Sequence, residues 1–199
     1  MYLKTKLLTI ILLTISTLAF SQDYKKDIES KFLEYNSYII NQDFMKSKDF
    51  VPQEFYEIVP KEQMILLLEK TFNNPEIEYK LKGPQIIDIS EKEQVEGKYY
   101  SLIKYSSPMN MKFKNKEQQE ETETERKLRM NLIKLSFEKS FGSGNVKYNE
   151  ETGFFEINAQ KQAYAISKDG ITDWKFLVVE SKQKFILEKL LPKQLVEKI

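Results

Sequence analysis

Residues 98–114 read KYYSLIKYSSPMNMKFK, and this stretch decides the fold class. In its second half apolar and polar residues alternate, so that Met109, Met111 and Phe113 share one face. A period of two is typical of a strand that is covered on one face. The sequence therefore predicts strands over 98–106 and 109–114.

Further strand patterns lie on both sides of this stretch. Ile77, Tyr79 and Leu81 alternate with charged residues, and Gly83-Pro84 then predicts a turn into QIIDIS. After residue 144, strands are predicted over 145–149, 153–159, 161–167 and 173–180. The last of these, DWKFLVVE, has apolar residues on both faces, which predicts a central strand that is covered on both sides.

Two helices are predicted before the strands. The first, over 24–41, is indicated by a four-three-four spacing of Ile28, Phe32, Tyr35 and Ile39. The second follows Pro60 and carries an apolar stripe made of Met64, Leu67, Leu68, Thr71 and Phe72. Asn73-Asn74-Pro75 should end it, with an asparagine in the left-handed cap conformation. Between the helices, two prolines predict a short helix or an irregular segment.

A third helix is predicted over 126–141, inserted among the strands. Its broad apolar stripe consists of Leu128, Leu132, Leu135, Met130, Ile133, Phe137 and Phe141. The preceding residues, 114–125, contain no apolar side chain and indicate a solvated acidic loop. Thr122 and Glu125 have the spacing of a capping box. Gly142 is predicted to end the helix as a left-handed cap, because a phosphate-binding loop would need a strand before it and a helix after it.

The C-terminal residues predict a helical tail. Leu187, Leu191, Leu195 and Ile199 recur every four residues, and Pro192 is acceptable at the start of a second helical segment. The polar positions mix both signs of charge, which favours docking on the core over contact with a membrane. We therefore expect one α+β domain over 22–199, with N-terminal helices packed on a curved, mainly antiparallel sheet, an inserted helix and this tail.

The N-terminus has the three-part layout of a secretory signal peptide. Lys4 and Lys6 precede an apolar run over 7–20, and small residues stand at Ala19 and Ser21. The run is shorter than the roughly 20 apolar residues of a membrane-spanning helix. We expect cleavage between Ser21 and Gln22, export to the periplasm as first choice or to the outside of the cell as second, and no stable membrane insertion.

Composition excludes several classes of function. The sequence has no histidine and no cysteine, which excludes serine-histidine and cysteine-histidine catalysis and zinc sites built on imidazole or thiolate. Without the signal peptide, 29 basic and 30 acidic residues remain, so there is no electrostatic case for nucleic-acid binding. No cofactor and no metal site is predicted.

Candidate site residues are few. Asp88 and Asp173 stand beside apolar residues and are the best candidates for an acid-base carboxylate, although a turn or edge position is the ordinary interpretation. Met109 and Met111 could bind Cu(I) but are better explained as core side chains. A ligand pocket, if present, is expected to be lined by Tyr35, Met64, Tyr105, Met111 and Trp174.

The element order resembles the nuclear-transport-factor-two-like superfamily, a cone-shaped α+β fold with helices first and a twisted antiparallel sheet after them. The resemblance covers chiefly 24–113 and 145–180 and includes the late strand WKFLVVE. NPEIEY, FGSGNVKYNEETG and WKFL look like segments of small exported bacterial proteins of unassigned activity. The resemblance implies an apolar pocket between sheet and helices and a homodimer through the open sheet face. No catalytic residue of the superfamily can be matched to this chain.

Three functions are compatible with these patterns. The first is a non-catalytic exported domain that binds a small apolar ligand or a protein partner. The second is an isomerase or lyase that uses a buried carboxylate with a tyrosine. The third is a homodimeric envelope scaffold. Fold alone does not choose among them.

The signal peptide gives a first prediction. The exported protein should begin at Gln22, because Ala19 and Ser21 provide the small side chains that signal peptidase requires. Intact-mass analysis of the exported protein measures this directly. Full-length protein in the membrane fraction would instead establish an uncleaved anchor.

Overall fold

The computed structural model describes residues 23–114, 121–180 and 183–199. The signal peptide predicted over 1–21 and most of the predicted acidic loop, residues 115–120, lie outside this part of the chain. The helices are α1 (23–40), α2 (Phe44–Ser47), α3 (Phe55–Ile58), α4 (Lys61–Phe72), α5 (Glu123–Phe141), α6 (Lys184–Leu190) and α7 (Lys193–Val196), with a 3₁₀ turn at Lys48–Phe50. The strands are β1 (Ile77–Leu81), β2 (Gln85–Ile89), β3 (Glu93–Val95), β4 (Lys98–Phe113), β5 (Val146–Asn149), β6 (Phe154–Ser167) and β7 (Lys175–Val179).

The seven strands form one antiparallel sheet built on β4 and β6. These two pair without interruption from Tyr99 opposite Ser167 to Met111 opposite Phe155. On the other edge of β4 lie β1, β2 and β3, one after another. On the outer edge of β6 lie β5 and β7. Helices pack against this sheet, so the α+β class expected from the sequence is confirmed.

Two predicted strand breaks are absent. β4 continues through Pro108, and β6 continues through Gln160. Pro108 lies where β4 changes its edge partner, from β1 at Leu81 to β2 at Gln85, so its missing N–H falls at the boundary between two edge strands. The Pro108 carbonyl still accepts a bond from Lys82 N at 3.1 Å.

The prediction that residues 173–180 form a central strand is wrong. Among the described residues β7 pairs only with β6, so it is an edge strand. Its coverage on both faces is confirmed, since Phe176 belongs to the cluster under α1 and Leu177 to the cluster under the tail. Burial of both faces comes from the flanking helices and does not require two hydrogen-bonded neighbours.

Aromatic packing joins α1 to the first sheet face. Ile28 and Phe32 of α1 are fully buried, as the four-three-four spacing predicts. The Phe32 ring lies 4.8 Å from the Tyr105 ring and 5.1 Å from the Phe176 ring, both edge-on. Phe32 therefore connects α1 with both β4 and β7.

The tail helices cover part of the opposite face. Leu187, Leu191 and Leu195 are buried there, and the Tyr164 hydroxyl donates to the Leu195 carbonyl at 3.2 Å. Docking of the tail on the core is thus confirmed, with Ile199 left 42% exposed. None of the helices in the described ranges is long and apolar enough to cross a membrane.

The inserted helix α5 begins earlier than predicted. Its N-cap is Thr122, and the predicted capping box is present, with the Glu125 carboxylate accepting from Thr122 N at 2.9 Å. Residues 123–125 are therefore helical rather than loop. Gly142 ends the helix with φ 96° as expected, but its ψ of 141° is extended rather than left-handed helical.

The prediction that the apolar stripes of α4 and α5 are buried is wrong in part. On α4, Leu67 is 65% exposed, and Asn73 ends the helix at φ −92° rather than in the left-handed region. On α5 the single broad stripe divides in two. The core side comprises Met130, Ile133, Phe137 and Phe141, and the exposed side comprises Leu128, Leu132 and Leu135.

The role of Phe32 can be tested by stability measurements. Phe32→Ala should lower the free energy of unfolding by about 3–5 kcal/mol, because it removes a buried ring from a closely packed cluster. The control is Leu33→Ala, one residue along α1 and 39% exposed, which should cost less than about 1 kcal/mol. Urea unfolding of both variants measures the difference, and equal losses would contradict this account of the core.

Candidate functional site

The five residues predicted to line a pocket do not lie together. Tyr35, Tyr105 and Trp174 belong to or pack against the α1 cluster, where the rings of Tyr35 and Phe176 stack at 5.9 Å. Met111 belongs to a second cluster under α5, and Met64 is half-buried on α4. None of the five lines any of the three concave sites described below.

The two candidate carboxylates are not buried. Asp88 lies exposed on β2, and Asp173 forms an ion pair with Lys175 at 2.7 Å while its side chain is 75% exposed. An acid-base role would need apolar surroundings that raise the pKa of the carboxyl group, whereas a turn or edge position was the ordinary interpretation. Neither residue lies in an apolar interior, so the condition for an acid-base role is not met.

The structure places Met109 and Met111 in the core. Met111 is buried and Met109 packs beside it in the cluster under α5, which confirms the interpretation as core side chains. Within the described ranges, no three histidine, cysteine, aspartate or glutamate residues are grouped so that they could hold a metal ion.

The largest concave site described is a groove of about 700 Å³ along the outer edge of β6. Its wall includes four consecutive β6 residues, 159–162, the end of β7 at Val179 and Glu180, and the end of α5 at Ser140 and Phe141. The remaining lining residues are Ile87, Lys104 and Ile199. We call this site the β6 groove.

The β6 groove coincides with a gap in the hydrogen-bonded ladder. β5 pairs with β6 up to Ile157, and β7 pairs with it from Gln162 onward, so residues 158–161 have no strand partner on that edge among the described residues. Asn158 N donates to Asn145 O at 2.9 Å, which shows that even-numbered β6 residues direct their backbone groups to this edge. The register therefore points the N–H and C=O of Gln160 into the gap.

The charges of the groove are incompletely paired. Lys161 and Glu180 form an ion pair at 2.9 Å and satisfy each other. Lys104, in contrast, makes no ion pair with any described residue, and its cross-strand neighbour on β2 is Asp88. A carboxylate placed beside Lys104 would gain a charge-assisted bond.

Two smaller sites are less selective. One, of about 290 Å³, lies beside α5, where Arg126, Arg129 and Lys112 alternate with Glu150 and Glu151. Arg129 is already held by two bonds to Glu121, at 2.8 and 2.7 Å. The other, of about 470 Å³, lies on the tail helices and mixes two lysines with two glutamates. Neither arrangement favours a ligand of one charge.

Sequence reasoning did not single out Gln160 or Lys104 as functional residues. One signal was available, because the predicted strands 153–159 and 161–167 were separated at Gln160 by a polar run. That run marks the point where the edge partner of β6 changes. The pattern shows the interruption, but only the strand register shows that the interruption opens a groove.

No protein-family model, no curated protein and no solved structure matches this chain. The resemblance to the nuclear-transport-factor-two-like superfamily therefore stays a prediction.

The aromatic cluster around Tyr35 gives a pH prediction. Burial raises the pKa of Tyr35 to about 12 and also raises the pKa of Tyr105. In the unfolded chain both groups ionise near their usual value of about 10. The folded state should therefore keep its full stability below pH 10 and lose stability as the pH rises from about 10 towards 12.

Tyr35→Phe tests this assignment. In the variant, the slope of the unfolding free energy against pH should fall by the equivalent of about one released proton. Urea unfolding at several pH values above about 9 measures this slope. An unchanged slope would mean that the Tyr35 hydroxyl already ionises as it does in water. That outcome would favour a hydrated cavity at this position, in agreement with the pocket predicted from the sequence.

Proposed function

We propose that this chain is an exported, non-catalytic binding domain that holds a short extended segment of a partner protein in the β6 groove. The observation that carries the proposal is that no described strand pairs with the outer edge of β6 at Gln160. Export rests on the signal peptide predicted over 1–21, with the periplasm preferred to the outside of the cell.

The gap has the dimensions of a short strand. The residues between the two described edge strands, 158–161, span about 13 Å at roughly 3.3 Å per residue, which matches the length of three or four residues of an extended segment. β7 ends at this gap and β5 begins at it, and both run antiparallel to β6. A segment lying in line between them would face Gln160 and could exchange two backbone hydrogen bonds with it.

The side chains of the groove select the chemistry of the segment. Val179, Phe141 and Ile87 offer apolar contacts, and Lys104 offers a positive charge that no described residue holds in an ion pair. Successive side chains of an extended segment point to opposite faces. A segment that alternates apolar and acidic residues therefore fits best.

A small apolar ligand fits the β6 groove less well. Six of its lining residues are polar or charged and five are apolar, whereas sites for small molecules are mostly apolar and more enclosed. An isomerase or lyase has less support still, because the candidate bases Asp88 and Asp173 are both exposed. An extended peptide would bind the backbone groups at the β6 edge, whereas a small apolar ligand or an enzyme substrate would have no need of them.

Gln160→Pro provides the test, with Gln160→Ala as the matched control. Proline removes the N–H that points into the gap and is tolerated at an unpaired edge, while alanine keeps the N–H. We expect the proline variant to bind about tenfold more weakly and the alanine variant to change by less than about twofold. The probe is a pool of capped hexapeptides that alternate valine or phenylalanine with aspartate, measured by fluorescence polarisation.

Two results would overturn the proposal. The first is equal binding by the proline and alanine variants, which would remove the backbone edge from recognition. The second is a stoichiometric apolar metabolite, identified by mass spectrometry after denaturing the protein as purified from its native envelope. That result would establish a small-molecule pocket in place of the peptide site.

A further inference from the structure

Helix α5 carries an apolar stripe that no described residue covers. Leu128, Leu132 and Leu135 are 61%, 59% and 60% exposed. At 3.6 residues per turn they lie on the side of the helix opposite Met130 and Phe137, which pack on the sheet. Single exposed leucines are ordinary, but three on one face form a continuous surface.

The spacing of this leucine stripe is that of a helix-pairing seam. The steps from Leu128 to Leu132 and on to Leu135 are four and three residues, the pattern that brings side chains together between two helices. Continued by the same steps, the seam reaches Glu125 at one end and Lys139 at the other. The seam thus has an apolar centre with an acid at its start and a base at its end.

We propose that the leucine stripe pairs antiparallel with α5 of a second copy, about a two-fold axis at Leu132. In this arrangement Leu128 faces Leu135 of the partner subunit, and Glu125 faces Lys139 of the partner subunit. The contact is self-complementary, as an isologous dimer requires. The opposed helix dipoles and the two acid-base pairs at the seam ends favour antiparallel over parallel pairing.

The charges that continue the leucine stripe favour a second copy over an anionic membrane. Over its whole length α5 has three acidic and five basic residues, but the charged residues in line with the stripe are Glu125 and Lys139, one of each sign. A membrane-surface helix carries mainly basic residues beside its apolar face. Anionic lipid would repel Glu125, whereas an antiparallel pairing places Lys139 of the partner subunit opposite that residue. This inference rests on α5 alone and does not depend on the β6 groove.

Because the sequence contains no cysteine, an introduced cysteine is the only thiol that can form a disulfide in a cross-linking test. Leu132→Cys places one thiol at the proposed axis, so mild oxidation of the purified protein should give a disulfide dimer rapidly. The control is Leu67→Cys on α4, a leucine of similar exposure at 65%, which should cross-link about tenfold more slowly. Circular dichroism checks that both variants are folded.

The orientation of the helices needs a second pair of variants. A mixture of Leu128→Cys and Leu135→Cys protein should form the mixed disulfide in preference to either homodimer, because antiparallel pairing opposes these two positions. Preferential formation of the two homodimers would indicate parallel helices and would overturn the proposed arrangement.

Sedimentation measures the same contact without a disulfide. Leu132→Glu should raise the dimer dissociation constant by about tenfold or more, while Leu67→Glu should leave it unchanged. A protein that stays monomeric throughout the micromolar range would overturn the dimer. Leu132-dependent binding of such a monomer to phosphatidylglycerol vesicles would assign the stripe to a membrane surface instead.

Discussion

The rest of the structure depends on the long antiparallel ladder between β4 and β6. Its thirteen residue pairs run from Tyr99 and Ser167 to Met111 and Phe155 without a shift in register. Because each strand is longer than any of its edge partners, each edge is shared by several short strands. The places where one short strand ends and the next begins are therefore consequences of the ladder, and Pro108 and Gln160 occupy two of them.

The sequence predicted which residues form helices and strands better than it predicted which strands lie next to each other in the sheet. The period of two in β4 and the four-three-four spacing of α1 identified the strand, the helix and the buried face of each. The capping box at Thr122 was also predicted, because it depends only on residues close together in the chain. The central position of β7 was wrong, since apolar residues on both faces report coverage by helices and carry no information about hydrogen-bonded neighbours.

The candidate sites show the same limit. The β6 groove depends on where β5 and β7 stop, and the polar run at Gln160 marks the interruption without showing which strands lie on either side of it. The exposed leucines of α5 were predicted as part of one broad stripe, because a helical period alone does not tell which apolar residues meet the sheet. The tyrosine and tryptophan residues predicted to line a pocket do lie in an apolar region. There Tyr35 and Trp174 pack against other aromatic rings and line none of the described concave sites.

The β6 groove and the leucine stripe both involve helix α5. Ser140 and Phe141 line the β6 groove, while the leucine stripe lies on the outer side of the same helix. In an antiparallel pair, the C-terminal ends of the two helices point away from each other, so two β6 grooves would lie at opposite ends of a contact about 28 Å long at 1.5 Å per residue. A partner with two suitable segments could then occupy both grooves, and the second binding event would be intramolecular. Weak recognition at each groove would thereby give tight binding overall, without any additional contact within a groove.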